Sequence, residues 1–237
     1  MPRVASWVRR DDAKHRAGPV CSRLGAIDSA RPRRQPTLTG DDDSAMLGAL
    51  LRSLRPAQWV KNVFVLAPLF LAQKLGDPEA LPRALLAFAA FCLASSAVYL
   101  INDIRDREED RLHPLKRRRP IASGALSVPV AIVATGLLVV ATAAIGWRLG
   151  TVFLSVVAVY LLLNLLYSLG LKRVVILDVM IVAVGFVLRV AGGAAAIVVQ
   201  VSGWLFLCTI FISLFLAFSK RRHELVRLTD SPEAQRQ

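Results

Sequence analysis

Several features that mark common functional classes are absent or scarce in this sequence of 237 residues. It contains no Walker loop, no GxGxxG and no HExxH, which argues against the usual nucleotide-binding loops and the zinc-protease site. Only three cysteines occur, Cys21, Cys92 and Cys208, and they form no metal-type pair, so we interpret them as packing residues. Acidic residues number 17 against 30 basic ones, which leaves a net charge of +13.

Apolar residues, in contrast, are abundant: they make up 55% of the chain, and the mean hydropathy is +0.51. A soluble domain typically contains about 45–50% apolar residues. The excess lies in long runs, which predicts an integral membrane protein. The basic residues cluster beside these runs, as the positive-inside rule describes, so the charge does not indicate nucleic-acid binding. We therefore expect membrane lipid, and no nucleic acid, as a partner.

The apolar runs predict an all-α, multi-span transmembrane helical bundle, because each is close to the ~20 residues that a bilayer helix needs. An amphipathic helix over residues 46–58 precedes the first span. Lys61 and Asn62 at its start and Pro68 inside it make that first span the weakest. We predict six spans, at residues 60–74, 82–101, 128–147, 151–169, 174–199 and 204–219.

The two ends of the chain are polar. Residues 1–45 are rich in Arg, Asp, Pro and Ser, which predicts a disordered basic extension. Either Met46 is the true start, or the extension is a flexible tail. Residues 46–226 form the predicted transmembrane domain, and residues 227–237 form a polar tail. If the N-terminus lies in the cytoplasm, the charge asymmetry places the polar stretch 102–124 on the cytoplasmic face.

Residues 102–124, between the second and third spans, contain most of the candidate site. Asp103, Asp106 and Asp110 are spaced i, i+3, i+7, so on a helix they fall within roughly 60° of one another. Such a row could hold Mg²⁺ through carboxylate oxygens and substrate phosphates. A basic block at residues 116–119 follows and offers donors to phosphate. The simpler alternatives are a solvated loop with internally paired charges and a basic topology anchor.

Two ionisable residues, Asp178 and Arg189, lie within the fifth span, where such groups are usually functional. They are eleven residues apart and share a helix face about 16 Å apart, too far to pair with each other. Asp178 could be a second metal ligand, and Arg189 could meet an anion or a carboxylate; a structural ion pair with another span is the alternative. Other polar residues at the same membrane level are either ligands or interfacial anchors: Lys61, Asn62, Tyr167 and Lys172.

These motifs resemble those of the UbiA superfamily of membrane prenyltransferases. NDIRDREEDRLHP, at residues 102–114, resembles the first Asp-rich motif of that superfamily, NDxxDxxxD. The similarity is closest to its decaprenyl-phosphate phosphoribosyltransferase branch. RPAQWVKN at residues 55–62, the whole stretch 102–124 and YSLGLK at residues 167–172 resemble motifs of that branch, as do Arg189 with Gly192-Gly193 and the basic segment 220–225. The resemblance covers about residues 50–226.

The resemblance implies a bundle of nine transmembrane helices, of which this sequence supplies about six. On that view the chain is a fragment, a shortened gene product or a protein that needs a partner to complete its cavity. It also implies a multi-pass protein of a bacterial inner membrane with a cytoplasmic active site. The sequence gives no indication of an oligomeric state.

The implied activity is Mg²⁺-dependent transfer of 5-phosphoribose from phosphoribosyl diphosphate to a polyprenyl phosphate of the decaprenyl type. The alternatives are a prenyltransferase that joins a polyprenyl diphosphate to an aromatic acceptor, and a non-catalytic membrane scaffold or transporter subunit. The implied catalytic and metal-binding residues are Asp103, Asp106 and Asp110. The implied substrate-binding residues are Arg111, Lys116 and Arg119 for diphosphate or ribose phosphate, Lys61, Lys172 and Arg189 for the lipid phosphate, and Asn62, Asn102, Tyr167 and Asp178 beside them.

Overall fold

The computed structural model describes residues 41–169, 175–200 and 202–229, and the structural statements below concern this part of the chain. Residues 1–40, Lys172 and the side chain of Asp178 lie outside the description. The helices are α1 (Asp41–Leu54), a 3₁₀ segment (Pro56–Leu66), α2 (Ala67–Leu71), α3 (Ala80–Arg105), α4 (Arg107–Leu112), a 3₁₀ turn (Lys116–Arg118), α5 (Pro120–Ser123), α6 (Val128–Leu149), α7 (Thr151–Leu169), α8 (Val175–Ala196) and α9 (Gly203–Thr229).

The prediction of an all-α membrane bundle is confirmed. Four helices are long and apolar enough to cross a bilayer, and they correspond to the second to fifth predicted spans: Ala80–Arg105, Val128–Leu149, Thr151–Ser168 and Val179–Ala196. The sixth predicted span lies in α9, whose apolar part, Gly203–Ser219, is shorter. Helix α9 continues through the basic segment 220–225 to Thr229. Helix α1 begins at Asp41, five residues before the predicted amphipathic helix.

The first predicted span, residues 60–74, does not form an α-helix of bilayer length. An 11-residue 3₁₀ helix is followed instead by the five-residue α2, which has Pro68 in its first turn. Proline lacks a backbone N–H and cannot continue a preceding helix, so it begins a new one here. A 3₁₀ helix rises about 2.0 Å per residue, against about 1.5 Å in an α-helix, so a short segment covers more length.

That segment nevertheless runs antiparallel to α3 along most of its length. Successive residues of the segment contact successively earlier residues of α3: Arg55 with Asp103, Trp59 with Ser96, Asn62 with Ser95 and Cys92, and Leu69 with Ala80 and Ala84. Residues 55–69 therefore cover the same depth as residues 80–103 of α3. The segment occupies the place of a first span with fewer residues than an α-helix would need.

Helix α8 packs directly against this segment through two of its glycines. A Cβ on Gly193 would lie 1.8 Å from the carbonyl oxygen of Val65, and one on Gly192 would lie 2.5 Å from the Phe91 ring. Gly185, in contrast, faces only Arg189 of its own helix. The segment, α3, α7 and α8 enclose a common core in which Phe91 stacks edge-to-face on Phe153 and Tyr160.

At the end of the bundle opposite residues 102–124, the side chain of Arg83 connects three helices through hydrogen bonds to backbone carbonyls. Arg83 of α3 donates from Nε to the Ala196 carbonyl at 2.6 Å and from Nη2 to the Leu149 carbonyl at 3.0 Å. Its positive charge thus lies at the C-terminal ends of α8 and α6, where the helix dipole favours a cation. Helix α6 reaches Leu149, and Gly150 alone, with φ +116°, connects it to α7. The turn is therefore tighter than the predicted one at residues 147–150.

Candidate functional site

The acidic row lies where α3 ends. Asp106 interrupts the helix with φ −85° and ψ 9°, so Asp103 belongs to α3 and Asp110 to α4. The acidic row is therefore divided between two successive helices. The helical register continues across the break. The Asp106 N–H donates to the backbone carbonyl of Asn102 at 2.9 Å, and the Asp110 N–H donates to the backbone carbonyl of Asp106 at 2.8 Å. Asp103 and Asp110 are both buried, each with its side chain 2% exposed.

Two arginines from other parts of the chain neutralise these buried acids. Arg119 Nη1 lies 3.2 Å from Asp103 Oδ1 and 2.7 Å from Asp110 Oδ2, so one nitrogen bridges the two carboxylates. Arg55 Nη2 lies 2.6 Å from the same Asp103 Oδ1. We call Arg55, Asp103, Asp110 and Arg119 the ion-pair cluster. Its two negative and two positive charges balance, as burial of charged groups requires.

Local backbone structure brings both arginines to the cluster. Arg119 is extended and immediately precedes Pro120, which begins α5. Arg55 connects α1 to the 3₁₀ segment in the left-handed region, with φ 53°. That conformation is uncommon for a residue other than glycine and costs on the order of 1 kcal/mol. The guanidinium group of Arg55 also lies over the Tyr99 ring, 4.9 Å from its centroid.

Two of the three acids predicted to bind a metal ion come together in the structure, Asp103 and Asp110. In the described part of the chain, no three His, Cys, Asp or Glu side chains are grouped as a metal cluster. Asp103 and Asp110 do converge on one point, and that point is occupied by a cationic nitrogen, Arg119 Nη1. Two convergent carboxylates suit Mg²⁺, which typically uses one or two carboxylates and completes its shell with water and phosphate oxygens. These residues therefore fit a magnesium ion that arrives with a phosphate substrate.

The other predicted residues of this end are distributed around the cluster. Arg111 donates to Glu108 at 3.2 Å and to the Ala122 carbonyl at 3.2 Å, so it ties α4 to α5. Lys116 is exposed in the 3₁₀ turn, and Lys61 is exposed on the 3₁₀ segment. Asn102 accepts a hydrogen bond from the Ser168 hydroxyl, and Arg105 donates to the Ser168 carbonyl, which ties α3 to the end of α7. Tyr167 is half-buried beside them.

Arg189 occupies a separate position deeper in the bundle. It is 8% exposed and donates from Nε to Asn62 Oδ1 at 2.8 Å, from Nη1 to the Gly185 carbonyl at 2.8 Å and from Nη2 to the Tyr160 hydroxyl at 3.1 Å. Its guanidinium group also lies over the rings of Tyr160 and Phe186. Among the described side chains, its partners are neutral rather than the carboxylate or anion that the sequence suggested. Arg189 thus joins α8 to the 3₁₀ segment and to α7.

Sequence reasoning missed two residues of this arrangement, Arg55 and Tyr160. Arg55 carried a signal, since it opens the RPAQWVKN motif, but its pairing with Asp103 is separated by 48 residues. Tyr160 carried none, because a tyrosine in an apolar span is usually a packing residue.

An apolar crevice of about 400 Å³ lies between the 3₁₀ segment, α8 and α9. Lys61 is the basic residue among its described lining side chains. Phe64 and Phe186 form one wall, with their rings edge-to-face at 4.9 Å. The remaining lining residues are Val60, Val182, Leu216 and Ala217. The crevice can accept a hydrocarbon chain whose polar end remains near a cation.

Comparison with known proteins agrees with this architecture. The model of the UbiA prenyltransferase family matches residues 62–224. Proteins named decaprenyl-phosphate phosphoribosyltransferase from Mycolicibacterium smegmatis and Corynebacterium glutamicum are 39% and 38% identical over 84% and 85% of this chain. The matches cover 64% and 60% of those curated relatives, so the chain spans less than two thirds of their length.

A solved structure of a UbiA homologue from Archaeoglobus fulgidus, bound to DMAPP and Mg²⁺, is similar with a TM-score of 0.62 and 22% identity. The similarity covers 70% of this chain and 60% of that one. At this identity the likeness shows the fold alone.

Proposed function

The chain belongs to the UbiA prenyltransferase family, and we propose that it acts in transfer of 5-phosphoribose from phosphoribosyl diphosphate to a polyprenyl phosphate. The observation that supports this most directly is at the C-terminal end of α3. There the buried carboxylates of Asp103 and Asp110 converge on one cationic nitrogen. Two relatives named decaprenyl-phosphate phosphoribosyltransferase support the choice of substrates. We extend the proposal to a bacterial plasma membrane, with this end of the bundle in the cytoplasm.

In this proposal, Asp103 and Asp110 are the principal carboxylates for Mg²⁺, with Asp106 and Asp178 contributing to the same site. Mg²⁺, when bound, neutralises negative charge on the departing diphosphate. Arg119, Arg111 and Lys116 bind the diphosphate or the ribose phosphate, because guanidinium and ammonium groups donate several hydrogen bonds to phosphate oxygens. Asn102, Tyr167 and Lys172 complete the polar wall on the side of α7.

The acceptor lipid occupies the crevice beside the 3₁₀ segment. Its chain contacts Phe64 and Phe186, and its phosphate lies near Lys61 at the surface of the bundle. Arg189 and Asn62 position the segment that carries Lys61, because their 2.8 Å hydrogen bond holds it against α8. This assigns Arg189 a positioning role in place of the direct phosphate contact that the sequence suggested.

The reaction requires no strong base, because the acceptor phosphate is already anionic. One of its oxygens forms a bond to the anomeric carbon as the bond from that carbon to diphosphate breaks. The diphosphate departs with the electron pair, and the cationic side chains beside it stabilise that charge. The chain's contribution is therefore orientation of two anions and neutralisation of the leaving group.

A second candidate function is transfer of a polyprenyl group from its diphosphate to an aromatic acceptor. It is supported by the match of residues 62–224 to the UbiA prenyltransferase family. The same acid pair would serve both reactions, so the acidic row does not distinguish them. Lys61 beside the crevice and the basic residues at Lys116–Arg118 favour a phosphate acceptor.

The test is an assay in membranes that contain this chain, Mg²⁺, labelled phosphoribosyl diphosphate and polyprenyl phosphate. We expect a lipid-soluble phosphoribosyl product, and loss of that product in the double variant Asp103→Asn and Asp110→Asn. Arg148→Gln, at the opposite end of the bundle, is the matched control. A parallel assay supplies labelled prenyl diphosphate and an aromatic acid; label transfer in that assay, with no product in the first, would favour the second function. Undiminished product in the double variant would overturn both.

A further inference from the structure

The carboxylate oxygens that suit a metal ion are already engaged by arginines. Asp103 Oδ1 accepts from Arg55 at 2.6 Å and from Arg119 at 3.2 Å, and Asp110 Oδ2 accepts from Arg119 at 2.7 Å. A metal ion bound between these carboxylates would take the position of Arg119 Nη1. The arginines and a metal ion therefore compete for the same two carboxylates.

If a metal ion displaced the two arginines from the acids, their guanidinium charges would lose their anionic partners in the cluster. Asp103 and Asp110 are 2% exposed, whereas the side chains of Arg55 and Arg119 are each 29% exposed. The acids thus lie at the base of the cluster, and the arginines cover them from the solvent side. A guanidinium group presents a planar fork of donors that matches two phosphate oxygens. In the cluster, Arg119 uses one nitrogen for both acids, so this fork is not matched to either carboxylate.

We propose that Arg55 and Arg119 are exchangeable counterions: they hold Asp103 and Asp110 in the ligand-free site and transfer to the phosphate oxygens of the substrate when a divalent cation takes the carboxylates. This inference rests on the proposed function for its ligands, a divalent cation and a diphosphate group. It adds Arg55 to the site and gives Arg119 two successive partners. The charge of the site stays balanced throughout, because each cation–anion contact that breaks is replaced by another.

The backbone around both arginines suits such an exchange. Arg119 immediately precedes a four-residue helix and follows a three-residue 3₁₀ turn, so it lies between two short elements and not within a long helix. Arg55 is the single residue between α1 and the 3₁₀ segment, and its backbone is in the left-handed region. Strained backbone of this kind persists where the surrounding structure determines it, and it is common at ligand-binding sites.

The exchange makes the binding of metal and diphosphate mutually dependent. A metal ion alone must displace two arginines that then find no anion, so it binds weakly. Diphosphate alone must draw the arginines from two buried acids, so it also binds weakly. Together each supplies the partner that the other displaces, and by linkage each strengthens the other by the same factor.

The experiment measures Mn²⁺ binding by electron paramagnetic resonance on the purified chain in detergent, with and without inorganic diphosphate. A protein-free titration corrects for Mn²⁺ that diphosphate binds in solution. We expect diphosphate to tighten Mn²⁺ binding to the wild-type chain at least about tenfold, within the usual range of coupling between sites. Arg119→Gln should bind Mn²⁺ alone about tenfold more tightly than the wild type and lose most of the tightening by diphosphate.

Arg55→Gln should change Mn²⁺ binding in the same direction as Arg119→Gln. Arg148→Gln, which changes an exposed arginine at the opposite end of the bundle, should behave as the wild type. Arg119→Lys keeps the charge but lacks the fork, so it should leave binding of Mn²⁺ alone weak and reduce the effect of diphosphate. This variant keeps the test informative if Arg119→Gln fails to fold.

The outcomes separate this inference from the proposed function. If both glutamine variants bind Mn²⁺ no more tightly than the wild type and keep the full effect of diphosphate, the arginines are fixed structural partners and the exchange is refuted. If Mn²⁺ binding is unchanged in the double variant Asp103→Asn and Asp110→Asn, the acid pair is not the metal site and the proposed function fails. If that double variant loses Mn²⁺ but wild-type binding ignores diphosphate, the metal site stands and the exchange is overturned.

Discussion

Replacing Gly193 by alanine should separate α8 from the 3₁₀ segment and destabilise the bundle. The added Cβ would lie 1.8 Å from the Val65 carbonyl oxygen, whereas Cβ atoms essentially never approach a neighbour within 3.0 Å. The contact must therefore open by at least the difference, 1.2 Å. Because the obstructing atom belongs to the backbone, no side-chain rotation relieves the overlap, and the 3₁₀ segment must move as a unit.

Overpacking of this kind costs about 1–3 kcal/mol in a well-packed core. Gly136 in α6 provides a matched control, since a Cβ there meets nothing within 4 Å. At Gly136 alanine removes the conformational penalty of glycine in a helix, which stabilises by up to about 1 kcal/mol. The same substitution in two helices of one chain should therefore change stability in opposite directions.

The measurement is thermal unfolding of the detergent-solubilised chain, followed by tryptophan fluorescence. For a protein of this size, 1 kcal/mol corresponds to roughly 2–4 °C in Tm. Gly193→Ala should lower Tm and Gly136→Ala should leave it unchanged or raise it. Equal Tm values for Gly193→Ala and the wild type would show that the 3₁₀ segment is not held against α8 as the structure has it.

Three further outcomes follow from single contacts. Arg189→Lys should destabilise the bundle by about 1.5–3 kcal/mol, because an ammonium group cannot reach Asn62, Tyr160 and a carbonyl together; a Tm within 1–2 °C of the wild type would contradict this. Arg83→Gln should lower stability by about 1 kcal/mol through loss of its hydrogen bonds to two helix carbonyls, while Arg148→Gln should not. Chelation of divalent cations should abolish transfer without lowering Tm, since the arginines then neutralise Asp103; a large fall in Tm would contradict that.

The spans α3, α6, α7 and α8 could be predicted because their information is local. Each is a long apolar run, and a bilayer helix needs little more than length and hydropathy. Predicted residues 128–147 correspond to Val128–Leu149, and residues 151–169 coincide with α7. Arg83 contacts the ends of α6 and α8, so it lies at the end of the bundle opposite the acidic row.

The ion-pair cluster could not be predicted from spacing. Two members of the i, i+3, i+7 row, Asp103 and Asp110, converge, but spacing says nothing about which cation arrives from elsewhere in the chain. Arg119 reaches Asp110 from nine residues away, and Arg55 reaches Asp103 from 48 residues away. The same limitation applied to Arg189, whose neutral partners Asn62 and Tyr160 lie on other elements.

The 3₁₀ form of the first segment explains why its sequence resembled a weak α-helical span. A 3₁₀ helix repeats every three residues, so positions i and i+3 align. Trp59, Asn62 and Val65 follow this repeat and face the protein, where Trp59 bonds to Ser96 and Asn62 to Arg189. On an α-helix with 3.6 residues per turn, the same positions spread over a wider face, and the polar ones interrupt the apolar pattern.

The three-residue repeat arranges the side chains of this segment in three rows, which have different surroundings. Its first row, through Asn62, bonds to the bundle interior, and its second row, through Lys61 and Phe64, lines the crevice. Its third row, Val60 and Val63, is exposed by 68% and 49%, and Val60 also borders the crevice. Arg55 directly precedes the segment, and Lys61 lies six residues later on the same short helix. The proposed exchange of counterions and the proposed position of the lipid phosphate would therefore lie at two places along one short helix.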